Sequence, residues 1–173
     1  MQNVEVTVKL KIKDVMRYNL WVAYRSKFSK LTFLMGCALL GYVAYQWTIN
    51  TSSLGVFLSH NILWIILTAL ALCGTPMKVW QITLMQMQMP IFSAPSKYNF
   101  FTDKISLEVG EMSDIVSWQT YSIIKETNKD FRFFVDAVQA QIIPKDCMEN
   151  EQIELLRTII KQAVPQENYN LKG

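Results

Sequence analysis

The chain of 173 residues contains 17 Lys and Arg against 14 Asp and Glu, and this net charge of +3 gives no reason to expect a nucleic-acid partner. Hydrophobic residues make up 51% of the chain and are unevenly spread, because the 47 residues between Lys30 and Lys78 contain no Asp, Glu, Lys or Arg. A gap of that length is rare in a soluble domain of average composition. The composition therefore predicts a membrane protein.

Residues 1–30 are predicted to form a strand followed by an amphipathic helix. Apolar and polar residues alternate from Val4 to Ile12, which is typical of a half-buried strand. The polar face of this strand carries Lys9, Lys11 and Lys13. The next residues, DVMRYNLWVAYRSKFSK, place apolar side chains on a broad helix face, with Asp14 as the predicted N-cap. A lone strand is not stable, so this one needs partners elsewhere in the chain.

Residues 31–76 are predicted to form a transmembrane hairpin. A single helix over the whole uncharged stretch would extend ~70 Å, more than twice the ~30 Å hydrocarbon thickness of a bilayer. Two spans fit, at about 31–48 and 57–76. The break between them, INTSSLG at Ile49–Gly55, has the polar residues and the glycine that a turn requires.

The distribution of positive charge predicts the orientation of this hairpin. Lys and Arg residues precede the first span and follow the second, and the loop between the spans has none. By the positive-inside rule both termini face the cytoplasm, so we expect a multi-pass protein of the cytoplasmic (inner) membrane. A cleaved secretory signal is the competing interpretation, but it is disfavoured because the apolar run begins only after thirty residues. Four residues beside the spans are expected to bind anionic headgroups: Arg25, Lys27, Lys30 and Lys78.

The candidate chemical groups of the hairpin are one histidine and two cysteines. His60 lies about one helical turn inside the outer end of the second span, where interfacial packing is a simpler role than proton relay. Cys37 and Cys73 fall in the inner half, and the thirteen residues from His60 to Cys73 correspond to a rise of ~20 Å. These groups cannot share a metal ion. With Cys147 in a cytoplasmic segment, no disulfide framework is predicted either.

Residues 77–95 are predicted to continue the second span into an interfacial helix or linker. In the run LMQMQMP, helical spacing puts Met85 and Met89 on one face. Thioether sulfur could bind a cuprous ion, but adaptable apolar packing is the more ordinary role of methionine. We therefore expect neither a metal nor another cofactor.

Residues 96–165 are predicted to form a small antiparallel sheet closed by one helix, followed by a tail over 166–173. The strand signals are KYNFF, KISLEV, one strand or two short ones in DIVSWQTYSIIKET, FRFFV, and VQAQII, which Pro144 ends. In the helix, Asn150 is the predicted cap and Pro165 follows the end. Its apolar side carries Ile153, Leu156, Ile160 and Ala163. If Val4–Ile12 joins this sheet, the hairpin is inserted into the sheet domain.

The aromatic residues of this domain have two possible roles. Trp118, Phe100, Phe131 and Phe133 could form a binding surface, but aromatic residues at strand spacing more often form the core. No glycine-rich phosphate loop, catalytic triad or paired metal-ligand motif is present in the sequence. The protein is therefore not expected to be an enzyme.

The order of the carboxy-terminal motifs resembles YcxB-like bacterial membrane proteins. The marks are Phe-Thr-acid at Phe101–Asp103, Trp118 leading to Glu126, the pair Phe133 and Phe134, and IIPKD before the last helix. The two spans and the first strand match the same arrangement, so the resemblance extends over nearly the whole chain. It implies a pleckstrin-homology-like (PH-like) domain with no general biochemical activity. Asp146 and Cys147 stand where the family often has a basic or aromatic residue, which weakens any argument from a basic patch there.

Together these features predict an α+β membrane protein. Its two-helix transmembrane hairpin is placed before or into a small antiparallel PH-like β domain with a C-terminal helix. The expected function is a membrane-anchored binding or regulatory module that recruits an unknown protein partner at the inner membrane surface. The alternative is a small transport or channel subunit that oligomerises through its hairpin. The other expected partners are the lipid bilayer and a second copy of the chain.

Overall fold

The computed structural model describes residues 3–50, 52–110 and 112–172. The chain forms two compact units: a helical unit over Met16–Leu84, and a sheet unit that contains the described residues up to Val15 and from Met85 onwards. The sheet unit is thus built from both ends of the chain. The intervening residues form the helical unit.

The helical unit contains most of α1 (Ile12–Ala23), all of α2 (Lys27–Ile49) and most of α3 (Leu54–Met87). Both α2 and α3 are long and apolar enough to cross a membrane. α3 continues through Pro76, the last residue of the predicted second span, because the loss of one backbone hydrogen bond need not stop a helix that is otherwise regular. The structure therefore has one continuous helix where a second span and an interfacial helix were predicted.

α2 and α3 pack as an antiparallel hairpin. The Cα hydrogen of Gly36 faces α3 so closely that an added Cβ would lie 2.6 Å from Cδ2 of Leu72. Nearer the turn, the rings of Tyr42 and Trp64 are 5.4 Å apart between centroids, and those of Trp47 and Phe57 are 4.9 Å apart. A small residue near the middle of α2 and edge-to-face aromatic pairs nearer the turn therefore determine the register of the two helices.

The sheet unit contains two four-stranded sheets, in the orders β1-β2-β3-β4 and β7-β6-β5-β8. All strand pairs are antiparallel except the short parallel pair of β5 and β8. The remaining helices are α4 (Pro90–Ser93) and α5 (Asn150–Ala163). The strands are β1 (Val4–Val8), β2 (Ser96–Phe100), β3 (Ile105–Val109), β4 (Met112–Val116), β5 (Ile123–Glu126), β6 (Asp130–Phe134), β7 (Ala140–Pro144) and β8 (Tyr169–Asn170).

β1 pairs with β2, so the helical hairpin is inserted between two adjacent strands of one sheet. Val4 is opposite Phe100 and Val8 is opposite Ser96 in this antiparallel pair. The predicted strand was too long, because pairing stops at Val8 and α1 begins at Ile12. Asp14 is therefore not the N-cap; its carboxylate lies in the first turn and accepts a hydrogen bond of 3.2 Å from the Lys11 backbone N–H.

One hydrophobic core joins both sheets and α5. The valines of β1 contribute to it together with residues from the carboxy-terminal strands. Leu156, Ile159 and Ile160 of α5 are fully buried against it. The predicted cap of this helix was wrong by one residue: Glu149 is the N-cap, and its backbone N–H donates to Oε1 of Gln152 at 2.8 Å.

Candidate functional site

Three of the predicted headgroup-binding residues lie within one helical turn of each other at the same end of the hairpin. Lys30 is six residues before Gly36 in α2, and Lys78 is six residues after Leu72 in α3. Because the helices are antiparallel and Gly36 packs on Leu72, the two lysines are at the same height, with Lys27 one turn further out. All three side chains are exposed. We call this group the basic belt.

The distance from the basic belt to the turn matches a bilayer. Nineteen residues separate Lys30 from Ile49, the last residue of α2, and at ~1.5 Å per residue they rise about 28 Å. The hydrocarbon core of a bilayer is ~30 Å thick. Arg25 lies just before α2, with its guanidinium carbon 5.6 Å from the ring centroid of Trp21. The binding of these four residues to anionic headgroups stays a prediction.

His60 lies at the opposite end of the hairpin from the basic belt. It is eighteen residues from Lys78 along α3, a rise of about 27 Å. Its side chain is exposed, and Nδ1 is 3.1 Å from the backbone oxygen of Val56 in the preceding helical turn. His60 is therefore satisfied by a local contact with the backbone of its own helix, and this contact needs no ligand and no metal.

The cysteines and methionines do not come together. Cys37 and Cys73 are free and exposed, and Cys147 is free and partly buried. Within the described ranges, no group of three or more His, Cys, Asp and Glu side chains has the arrangement of a metal site. Met85 and Met89 do not share a helix face, since α3 ends at Met87. The apparent pattern in LMQMQMP is interrupted by the end of the helix.

The aromatic residues of the sheet unit form its core, as the sequence favoured. Phe133 is 1% exposed, and its ring centroid lies 5.7 Å from that of Phe100 and 5.3 Å from that of Tyr121. Trp118 is buried beside it and donates from Nε1 to the backbone oxygen of Phe101 at 2.9 Å. These rings hold the two sheets together and leave no aromatic binding surface at this position.

A buried carboxylate at the end of β5 was missed by the sequence analysis. The Glu126 side chain is completely buried, and Arg157 of α5 donates to it from Nη2 at 2.6 Å and from Nε at 3.0 Å. Lys145 forms an ion pair with the same carboxylate, and the backbone N–H of Lys172 donates to Oε2 at 2.7 Å. This Glu126 cluster joins β5, the turn after β7, α5 and the tail.

The electrostatics of the Glu126 cluster favour the charged form. Burial alone raises the pKa of Glu126, but the hydrogen bonds from Arg157 and Lys145 outweigh it and hold that pKa below its usual value of 4.5. The same bond with Glu126 raises the pKa of Arg157. The three donor residues, Lys145, Arg157 and Lys172, are all distant from Glu126 in the sequence, so no local motif could have indicated their meeting.

The predicted lysine face of the first strand is not formed. β1 ends at Val8, and Lys11 and Lys13 instead pair with Asp146 at 2.7 and 3.6 Å. The hydrogen bond from Lys11 lowers the pKa of Asp146, and it raises the pKa of Lys11 in return. All three side chains are substantially exposed, so the contact contributes little to stability. It does reduce the positive charge available at this position.

Comparison with known proteins agrees with the carboxy-terminal motifs. Residues 100–160 match the family described as YcxB-like protein. We call residues 100–160, which are similar to that family, the YcxB-like segment. It begins at the last residue of β2 and ends inside α5, so β1 and the two long helices lie outside the match, although the resemblance was expected to include them. No curated protein and no solved structure matches the chain.

The YcxB-like segment includes both the aromatic core and most of the Glu126 cluster. Trp118, Phe133, Glu126, Lys145 and Arg157 all fall within residues 100–160. The segment also ends before the tail that supplies the Lys172 N–H. The matched residues therefore form most of the hydrophobic core of the sheet unit. The valines of β1, which precede the hairpin in the sequence, complete this core.

Proposed function

We propose that the protein is a membrane-anchored, non-enzymatic binding or regulatory module of the cytoplasmic membrane, whose sheet unit recruits a protein partner at the inner surface. The hairpin of α2 and α3 is the anchor. Both termini lie in the cytoplasm. The sheet unit, which carries the YcxB-like segment, is the cytosolic part.

Three features support the membrane part of this proposal. The apolar side chains of α2 and α3 are largely exposed, as with Leu34, Leu63 and Leu70, which is unfavourable in water and favourable in lipid. The helices rise by about one hydrocarbon thickness above the basic belt. Lysine at one end of the hairpin and none at the turn gives the charge asymmetry that favours cytoplasmic termini.

The order of the strands supports a PH-like fold for the sheet unit. A four-stranded antiparallel meander is followed by a three-stranded one, β5-β6-β7, and then by the closing helix α5. The resemblance implies several strands followed by a capping helix, and this order agrees with that outline. The insertion of a helical hairpin between β1 and β2 is then an addition to such a domain.

The observation that carries partner recruitment is the exposed edge strand β4. Met112 is 81% exposed and Ile115 is 65% exposed, whereas Ile105 of the adjacent strand β3 is buried in the core. β4 lies at the end of its sheet, and among the described residues only β3 pairs with it. Exposed apolar side chains at such an edge are typical of an interaction surface.

Asp114 makes simple strand addition at this edge unfavourable. Its Oδ1 accepts a hydrogen bond of 2.8 Å from the Ile115 backbone N–H, so a backbone donor on β4 is already satisfied. An added strand would have to displace that carboxylate. The proposed partner therefore binds around the β4 edge and contacts side chains there, with Met112 on one face of the strand and Ile115 on the other, and not the backbone of β4.

Site-specific photo-crosslinking in cells tests this surface. The full chain with a benzophenone amino acid at Met112 or Ile115 is expected to form one adduct of the same mass from both positions. Lys161, an exposed polar position on α5, serves as the matched control and is expected to form none. The absence of adducts at β4, or the same adducts from all three positions, would contradict the proposal.

A further inference from the structure

The sheet unit contains a small cavity at the end where the chain leaves for the helices and returns from them. Its volume is about 130 Å³, and its lining includes Val8, the last residue of β1, and Ser96, the first residue of β2. These two residues are opposite each other in the β1–β2 pair. The cavity therefore lies at the end of the sheet from which both connections start.

The lining of the cavity is apolar apart from three uncharged polar side chains. Leu107, Val109 and Ile142 are among its nine apolar residues, and the polar ones are Ser96, Tyr98 and Gln141. None of the described residues that line it is charged. A cavity without charges disfavours an ionic ligand, since desolvating an ion there would not be compensated.

Two of the polar side chains, Ser96 and Tyr98, have hydroxyl groups that make no hydrogen bond to another described residue. Ser96 and Tyr98 are each 8% exposed. Among the described residues neither hydroxyl has a hydrogen-bond partner, whereas Gln141 Oε1 accepts from the hydroxyl of Tyr121 at 2.6 Å. Burial raises the pKa of Tyr98 to about 12, so its hydroxyl remains protonated and able to donate. Every fully buried side-chain N or O atom among the described residues has a partner, so these two hydroxyl oxygens are accessible to solvent. A mostly apolar cavity with a few accessible polar groups has the composition of a small-molecule site.

The size and position of the cavity restrict the class of ligand. An apolar cavity of ~150 Å³ holds a molecule the size of benzene, so this one holds about six non-hydrogen atoms. Ile91 of the lining is 61% exposed, which is unfavourable in water and favourable at a lipid surface. A ligand that is partly apolar, uncharged and delivered from lipid fits these conditions.

We propose that the cavity binds the ester group and adjoining methylenes of a neutral acyl lipid, whose carbonyl oxygen accepts hydrogen bonds from Tyr98 and Ser96. The remainder of the acyl chain extends out of the cavity. The assumption that the lipid comes from the membrane rests on the function proposed above. Binding of the lipid in the cavity does not require the protein partner that was proposed for β4. The cavity and the β4 surface use different residues.

Photolabelling of the full chain in detergent micelles tests this site. The probe is a monoacylglycerol with a diazirine in its acyl chain, and the comparison probe is the fatty-acid anion of the same length. Labelled peptides are mapped by mass spectrometry, and labelling of α2 and α3 serves as the internal reference. The neutral probe is expected to label peptides of β2, β3 and β7 at least about fivefold more than the anion.

Variants of the lining separate the site from general lipid contact. Ala140→Phe, which fills the cavity, is expected to reduce labelling of these peptides about tenfold, relative to the α2 and α3 reference. Tyr98→Phe and Ser96→Ala each remove one hydroxyl with little change in packing, and each is expected to reduce it about fivefold. Ser113→Ala on β4 is the control and is expected to leave labelling unchanged.

Two results would overturn the proposal. One is equal labelling of the cavity peptides in wild type and in the two hydroxyl variants, which remains decisive even if Ala140→Phe does not fold. The other is equal labelling by the neutral and the anionic probe. Because the lipid is supplied in micelles and no partner is present, failure of the β4 crosslinks would leave this result unaffected.

Discussion

Breaking the Glu126 cluster is expected to destabilise the sheet unit far more than breaking an exposed ion pair of the same arginine. Arg157→Met removes two donors to a carboxylate that is completely buried, and removing one partner of a buried pair costs ~3–5 kcal/mol. Lys145 and the Lys172 N–H remain as donors, so the lower end of that range, about 3 kcal/mol, is expected.

Glu154 provides the matched control for this substitution. It also pairs with Arg157, but its side chain is 70% exposed, so Glu154→Gln is expected to cost less than ~0.5 kcal/mol. Hydrogen exchange of the full chain in detergent, followed by mass spectrometry of the β5 and α5 peptides, measures the free energy of opening in each variant. Similar losses for the two variants would refute the argument from burial.

The cost of Arg157→Met is also expected to depend on pH. The folded pKa of Glu126 lies below its ordinary value of 4.5, so the stabilisation is complete above that pH. The stabilisation is lost as the pH falls through the lowered pKa of the folded state, because a protonated carboxyl is uncharged and no longer forms an ion pair with Arg157. The difference between wild type and Arg157→Met should therefore shrink in acid, and a difference that is constant from pH 7 to pH 3 would contradict this account.

Three further expectations follow from the packing and the proposed topology. Gly36→Ala should lower the stability of the hairpin to detergent unfolding by ~1–2 kcal/mol, since its Cβ would meet Leu72 at 2.6 Å, whereas Gly41→Ala has open space and should be neutral. Phe133→Ala should cost ~3–5 kcal/mol in the sheet unit by exchange, and a loss below ~1 kcal/mol would contradict its central position in the core. In a cysteine-free background, Ser52→Cys should react with an impermeant maleimide in whole cells, and labelling only after permeabilisation would reverse the orientation.

Local patterns in the sequence were sufficient to predict those helices and strands whose buried or lipid-compatible residues recur at a regular spacing. The uncharged stretch predicts two long apolar helices, because lipid-compatible helices need only continuous apolar sequence of sufficient length. Alternation of valines from Val4 to Val8 predicts β1, and the spacing of Leu156 and Ile160 predicts the buried side of α5. The limits of these elements were less well predicted, as the shift of the α5 cap from Asn150 to Glu149 shows.

Only the tertiary structure decided which distant segments meet. The pairing of β1 with β2 across the helical hairpin has no local signal, because either strand could have paired elsewhere with the same alternation. Glu126 is an ordinary polar residue at the end of a strand until α5 and the tail bring their donors to it. The free hydroxyls of Ser96 and Tyr98 likewise acquire meaning only when β7 closes the cavity beside them. Periodicity reports which face of an element is buried, and the contacts between elements determine what that face encloses.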